Sequence, residues 1–332
     1  MDEALTDSLT EATRLAAESL AARNAGDLAL ALERAEACLA VRTVALGEQH
    51  ADTAAALGLV AAARRRRGEL DAALAADLRA LEIYKDVLGD SHADTAVALG
   101  NLSATRRARG EHDEALTLAT RALAGLQAAC EANDLRIALA WGNLASVHRA
   151  REEHPQAIAG ARALLAIRAA VLGERHPDTA AGHSLLGSML AAAGDHAAAA
   201  VEEQAALTIR EAVSDPRATL ESLINLATIH RNLGDAARSL DLQRQALEIQ
   251  RRLLGEADPA TTRSRLYVAY TMLRLGRRRE AEQLIAEGLR HDPRSKDLRQ
   301  LKQHLDSVVA PGFRPAAASK PARNKPRGRS KR

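Results

Sequence analysis

Two neighbouring segments set the pattern of the chain. TAVALGNLSATRRAR (95–109) carries Leu99 and Leu102 three apart, and DEALTLATRALAGLQ (113–127) carries Ala115, Leu118, Ala122 and Leu126 at intervals of three or four. That spacing gathers the apolar groups on one stripe of an amphipathic helix. Gly110 stands between the two. The same setting recurs at Gly26, Gly68, Gly194, Gly234 and Gly276, with Glu152 where one glycine is missing. The interval is 42 residues throughout, except for 40 between Gly194 and Gly234. Glycine suits the left-handed residue that closes one helix and turns the chain into the next. Seven units follow, each a helix A, a tight turn and a helix B.

A second phrase joins the units: LGEQHADTA (46–54), LGDSHADTA (88–96) and LGERHPDTA (172–180). Gly173 is expected to end helix B, Pro177 to open the next helix A where its missing N–H costs nothing, and Asp178 to face the positive end of the helix dipole. The pairs His50/Asp52, His92/Asp94 and His176/Asp178 also raise a metal site. They fall one unit apart with no third ligand in reach, so the phrase reads as a hinge and cap, and no metal is expected.

With the landmark glycine counted as position 15, small residues recur at position 8 (Ala61, Ser103, Ala145, Gly187, Ala227, Ala269) and at position 20 (Ala31, Ala73, Ala115, Ala157, Ala199, Ser239, Ala281). Position 7 is large: Val60, Leu102, Leu144, Leu186, Leu226 and Val268, and Trp141 falls at position 4. Small residues let helices A and B approach, and large ones fill the space between units. With the NLA-type cores at Asn101–Ser103, Asn143–Ala145 and Asn225–Ala227, the LxIR-type ends at Leu165–Arg168 and Leu207–Arg210, and the LGxxHPDTA joint, the chain resembles the kinesin light chain type of tetratricopeptide repeat (TPR) over about residues 1–292. The joint CEANDLRIA (130–138) is degraded and the joint VSDPRATLE (213–221) shortened. The resemblance implies an all-α fold, a right-handed TPR superhelical solenoid of seven helix pairs. HDPRSKDLRQLKQHLDSVV adds a capping helix over 293–309, with Leu298, Leu301 and Leu305 on one side, so the solenoid is expected to span 1–309.

Composition agrees. Hydrophobic residues make up 47% and aromatics 2% of the 332 residues, so Ala, Leu, Ile and Val must build the core. Cys38 and Cys130 lie in different units with no partner motif, which argues against a disulfide framework or zinc site. The N-terminus lacks the basic start and apolar run of a signal peptide, and no stretch is expected to approach the ~20 apolar residues of a membrane span; a cytoplasmic location is the expectation. No Gly-rich phosphate loop, GxSxG, HExxH or Cys pair is present. Carboxylates are expected on outer helix faces or at caps, and His148 and His230, at position 11, as packing groups. Neither an enzyme nor a cofactor is indicated.

Binding is the better reading, since a solenoid presents helix A on its concave face. In the resembled family, helix A positions 2, 5, 6, 9, 12 and 13 line that groove. Position 6 here gives Asn101, Asn143 and Asn225, with Tyr267 in the last unit; position 9 gives Ser146, Ser188, Thr228 and Tyr270; position 12 gives Arg65, Arg107, Arg149 and Arg231. Asparagine, both donor and acceptor, can hold an extended peptide by its backbone, and arginines suit an acidic segment or a C-terminal carboxylate. The alternative is that these arginines are solvated helix ends that complement the dipole. Bacterial proteins of the resembled type accompany signalling kinases, NTPase regulators or peptidases, which implies a partner of that sort acting in trans.

Residues 311–332 hold eight of the 46 basic residues and no acid, and the rest of the chain has an excess of acids. Lys320, Arg323, Lys325, Arg327, Arg329, Lys331 and Arg332 carry most of that charge, in a Pro- and Ala-rich stretch expected to be disordered over 310–332. Nucleic acid, an anionic membrane or the protein's own acidic body are its candidate partners. An adaptor anchored to nucleic acid by this tail is the alternative function.

Overall fold

A computed structural model describes residues 3–307; the expectations for 310–332, and for the last two residues of the capping helix, lie outside the described residues. Among the described residues there are fifteen helices and no strand: α1 (Glu3–Ala25), α2 (Leu28–Leu46), α3 (Ala51–Arg67), α4 (Leu70–Leu88), α5 (Ala93–Ala108), α6 (His112–Ala129), α7 (Leu135–Ala150), α8 (His154–Leu172), α9 (Pro177–Ala192), α10 (His196–Ala212), α11 (Pro216–Asn232), α12 (Ala236–Leu254), α13 (Pro259–Arg274), α14 (Arg278–His291) and α15 (Lys296–Ser307). Each landmark position falls between an odd helix and the even helix that follows. The chain divides into two compact units, Met1–Leu242 and Gln243–Arg332.

The turn within each pair needs one residue at positive φ. Gly68 supplies it at φ 80°, ψ 7°, and a side chain there would meet nothing within 4 Å. Backbone conformation, not crowding, selects glycine. Glu152, the exception in sequence, is no exception in geometry, since it holds φ 61°. Non-glycine residues reach this region at a cost of about 1–2 kcal/mol.

The joints between pairs use a different glycine. Gly47, Gly89 and Gly173 sit at φ near 90° and ψ 159–166°, a region open essentially to glycine alone. The next helix is then capped by histidine: the Nδ1 atoms of His50, His92 and His176 accept the N–H of Asp52, Asp94 and Asp178 at 3.0–3.1 Å. Thr53, Thr95 and Thr179 donate back to the glycine carbonyls at 2.7–2.8 Å. The repeated phrase is therefore a closed cap-and-hinge. The joint between α6 and α7 manages without glycine because Cys130 ends α6 in extended backbone at φ −127°. In the shortened joint, Ser214 takes φ 56° and Asp215 caps α11.

Within a pair, positions 8 and 20 meet closely. Ala61, Ala73, Ala115, Ala145, Ala157 and Ala199 are essentially inaccessible. Where one is serine, its hydroxyl donates to the carbonyl opposite at 2.7 Å: Ser19 to Ala31, Ser103 to Ala115, Ser239 to Ala227. Each such bond contributes about 1 kcal/mol. Between pairs, Ala119, Leu123 and Leu126 of α6 pack with Ile137, Leu144 and Val147 of α7; Ala145, Ala161, Leu186 and Met189 continue the core from α7 to α9. In Met1–Leu242 the odd helices also touch in succession, α1 to α3, α3 to α5, α5 to α7 and α7 to α9, and no two even helices do so to that extent. Odd helices thus form the inner face. In Gln243–Arg332, α15 closes the core with Leu298, Leu301 and Leu305 buried. Gly288 admits it: a Cβ there would lie 2.8 Å from Leu298 Cδ1.

One expectation is corrected by α8. By length and composition it is apolar enough to cross a membrane. It carries Arg162 and Arg168, and it packs against α7 and α9 as an ordinary helix B.

Candidate groove on the inner helix face

The inner face of Met1–Leu242 is built from odd helices, so positions 5, 6, 9 and 12 decide its character. Position 5 is glycine in three successive pairs, Gly58, Gly100 and Gly142. The first two make room for the asparagine of the next pair. The Asn143 Nδ2 group donates to the Gly100 carbonyl at 3.4 Å, and Asn101 Nδ2 lies 3.6 Å from where a Cβ on Gly58 would be. The asparagine ladder therefore also links neighbouring inner helices. In the fifth pair position 6 is Leu185, which lies 3.7 Å from the Cβ site of Gly142.

The arginines at position 12 are not equivalent. Arg65 is bound inside the protein. Its Nη1 donates to Thr105 Oγ1 at 2.9 Å and to the Asn101 carbonyl at 3.4 Å, and it lies 3.8 Å from Asp77. Asp77 is almost wholly buried and accepts from Thr105 Oγ1 at 2.6 Å. Burial pushes its carboxyl up to about 6, against the Thr105 hydrogen bond and the Arg65 charge. Arg107 and Arg149 have no acidic partner among the described residues. Burial, and then the charge of Arg149, hold the Arg107 guanidinium below its ordinary range. Arg149 and Arg231 are exposed. Arg23, at position 12 of the first pair, extends the row. Burial and the Arg66 charge lower it in the same way. The row of arginines was legible from register alone, and the first unit had to be included to see it.

Two carboxylates correct the expectation that acids stay on outer faces or at caps: Asp77 and Glu203 are both 1% exposed. Both occupy position 24, in the apolar stripe of helix B, nine residues after the landmark glycines Gly68 and Gly194. Glu203 accepts from Ser184 Oγ at 2.9 Å and lies 3.6 Å from Arg210, which donates to Ser222 Oγ at 2.6 Å. Burial pushes the Glu203 carboxyl up, opposed by hydrogen bonds from Ser222 and Ser184, the Arg210 charge and Asn225. Asn225 is thus engaged from one side by Glu203. It also lines a cleft of about 560 Å³ with Ser188 and Thr228. A smaller cleft of about 250 Å³ is lined by Arg23, Gly58, Asp77 and Asn101.

In Gln243–Arg332, Tyr267 and Tyr270 are each about half exposed. They line a cleft of about 660 Å³ with Arg263 and with Asp297, Gln300 and His304 of α15. Elsewhere in this unit Glu256, Glu287 and His291 bring their ligand atoms within 4.8 Å of one another. Arg251 and Arg265 already pair with Glu256, and Arg251 pairs with Glu287, which leaves no surplus negative charge for a metal ion. His148 pairs with Glu153 at 2.6 Å, and His230 lies 3.5 Å from Asp235.

The repeat geometry has close counterparts. The kinesin light chain TPR-like repeats of Podospora anserina superpose with a TM-score of 0.53 at 19% identity, covering 62% of this chain and 98% of that one. BtubC (BKLC) from P. vanneervenii gives 0.56 at 18% identity, covering 76% and 94%. The Rap conjugation gene regulator of plasmid pLS20, solved with the Phr* peptide, gives 0.58 at 12% identity, covering 92% and 78%. No curated protein sequence matches the chain. The family model for the tetratricopeptide repeat matches residues 13–86, 52–128, 136–212 and 218–294. With most of its length so matched, and with its helix pairs, small-residue contacts and capped joints in register, the chain belongs to the tetratricopeptide repeat family.

Proposed function

We propose that the protein is a non-enzymatic interaction scaffold that holds an extended, acidic segment of a partner protein along the inner helix face. The observation that carries this is Arg107 beside Arg149, two neighbouring cations with no acid among the described residues to neutralise them. A guanidinium that is partly desolvated and repelled by its neighbour costs stability, and an incoming carboxylate would relieve both terms through charge-assisted, bidentate bonds. Asn101 and Asn143 are placed to meet the backbone of such a segment, and the pLS20 regulator, of similar fold, forms a complex with the Phr* peptide, which supports a peptide as the ligand. Arg23 and Arg231 extend the positive register, while Arg65, at the same position, is held by Thr105 and Asp77. Tyr267 and Tyr270 add an aromatic contact of their own. A signalling kinase, NTPase regulator or peptidase would supply the segment, in the cytoplasm.

A second reading rests on the eight cations of 311–332: attachment to nucleic acid through the tail. One experiment separates the two. Fluorescence anisotropy with a labelled acidic decapeptide and with a labelled DNA duplex is compared for the full chain, a 1–310 truncation and Arg107→Glu/Arg149→Glu. The groove reading expects peptide binding that survives truncation and weakens roughly hundredfold on double charge reversal, as for removal of close ion pairs. Peptide binding indifferent to the two arginines would sink it. DNA binding lost on truncation, with a steep salt dependence, would establish the second reading instead.

A further inference from the structure

The inner helices of Met1–Leu242 touch in succession as far as α9, and no contact of that extent joins α9 to α11. The cleft of about 560 Å³ opens there instead, a size typical of ligand pockets at ~300–1,000 Å³. It follows the one irregular interval of the repeat, 40 residues in place of 42. Its walls are apolar, with Ala181, Leu185, Ala191 and Ile229. Glu203, Arg210 and Glu221 line it as well, and Ser188, Asn225 and Thr228 add polar groups.

The charges of this lining do not balance. Glu203 and Glu221 face a single cation, Arg210, at 3.6 and 3.5 Å, and Arg210 is further committed to Ser222 Oγ and the Ala218 carbonyl at 2.6 and 3.2 Å. The comparable cleft three pairs earlier differs on this point. There Asp77 has Arg65 within 3.8 Å, and Arg23 lines the same space. One architecture, an acid at position 24 beneath the asparagine of the next pair, thus carries a balanced lining at α3–α5, where Arg23 offsets Asp77 and Arg65 stands 3.8 Å from that acid, and a net negative lining at α9–α11. A cleft that offers Leu185 and Ile229 together with underneutralised carboxylates fits a long aliphatic stem with a cationic head.

We propose that the α9–α11 cleft is a socket for a lysine or arginine side chain of the segment held along the inner face; this rests on the groove reading above. The stem lies against Leu185 and Ile229, and the head reaches Glu203 and the Asn225 side chain. The bound segment then has a defined charge order: acidic residues opposite Arg107 and Arg149, and a basic residue two pairs further along.

Titration of the isotope-labelled full chain with end-blocked Gly-Gly-Lys-Gly-Gly, and with its norleucine and glutamate counterparts, tests the socket by NMR. The lysine peptide is expected to shift Ser184, Ser188, Asn225 and Thr228, with the norleucine peptide roughly tenfold weaker, as loss of one charge-assisted hydrogen bond implies. Glu203→Gln should weaken the lysine peptide by a similar factor. Because that change disturbs a buried pair, Ser188→Phe, at an exposed position, serves as the second variant: it fills the cleft and should abolish the shifts with the helical circular dichroism unchanged. Equal binding of lysine and norleucine, preference for the glutamate peptide, or shifts persisting in Ser188→Phe would overturn the proposal. Arg107→Glu/Arg149→Glu separates it from the groove reading, since that variant should retain the lysine-peptide shifts whatever becomes of acidic-peptide binding.

Discussion

The Thr105 hydroxyl donates to the Asp77 carboxylate at 2.6 Å across the boundary between the second and third helix pairs, and Arg65 reaches both. The bond stabilises a carboxylate that burial nonetheless raises to about 6. An unfolded aspartate titrates near ~3.9. Between these values the native state binds the proton that the unfolded chain releases, so stability falls as pH rises from about 4 to about 6 and then levels. That rise corresponds to at most about 3 kcal/mol. Asp77→Asn keeps an acceptor for Thr105 and carries no charge. Urea midpoints at pH 4 and pH 7 should show the variant gaining on the parent across that interval. A constant difference would mean that Asp77 stays ionised throughout.

Glu152 holds φ 61° at the position where the six other pairs have glycine at φ 72–85°. Left-handed backbone costs a non-glycine residue about 1–2 kcal/mol, and glycine gives back roughly 0.5–1 kcal/mol in unfolded-state entropy. Glu152→Gly should therefore stabilise by about 0.5–1 kcal/mol, and Gly110→Ala should destabilise by a similar amount. Chemical denaturation of the two variants checks both signs at once.

At the joints, His176 Nδ1 accepts the Asp178 N–H at 3.0 Å. His176→Ala should cost about 1 kcal/mol, the ordinary value of an N-cap, and His176→Asn should recover most of it because its side-chain oxygen accepts the same N–H. If alanine and asparagine melt alike, the histidine acts through something other than capping.

Much of this was legible in the sequence, and for identifiable reasons. Pairs, turns and joints follow from local rules: which residue tolerates positive φ, which caps a helix, which is small enough for two helices to meet. Even the missing glycine at Glu152 marked the correct turn. Relations across pairs were less visible. Arg65, Arg107 and Arg149 share one register position, yet only Arg65 faces a buried aspartate, because Asp77 sits on α4 and its partner Thr105 on α5. No single-repeat alignment connects these residues. The signal that was present, an acid within the apolar stripe of α4 and of α10, was masked by the general abundance of carboxylates. The α9–α11 cleft was less accessible still. It depends on the spacing of two inner helices, and a joint two residues short gives no direction for the displacement.

Arg107 provides the sharpest division between stability and binding. It is partly buried, its neighbour Arg149 repels it, and no described acid compensates. A residue kept only for the fold would not be an arginine here, since an uncharged side chain of similar length removes both costs. Its remaining exposure screens the charge, so the gain is small. Arg107→Gln should change stability by no more than about 0.5 kcal/mol, in the favourable direction, while an acidic peptide binds roughly tenfold more weakly for want of one charge-assisted contact. Arg65→Gln should behave in the opposite way, losing stability because Asp77 is left buried without its cation, whatever its effect on the peptide. Melting curves and peptide titrations on both variants give four values. The groove assignment requires the two arginines to separate in them; parallel behaviour would place Arg107 in the scaffold rather than in the binding face.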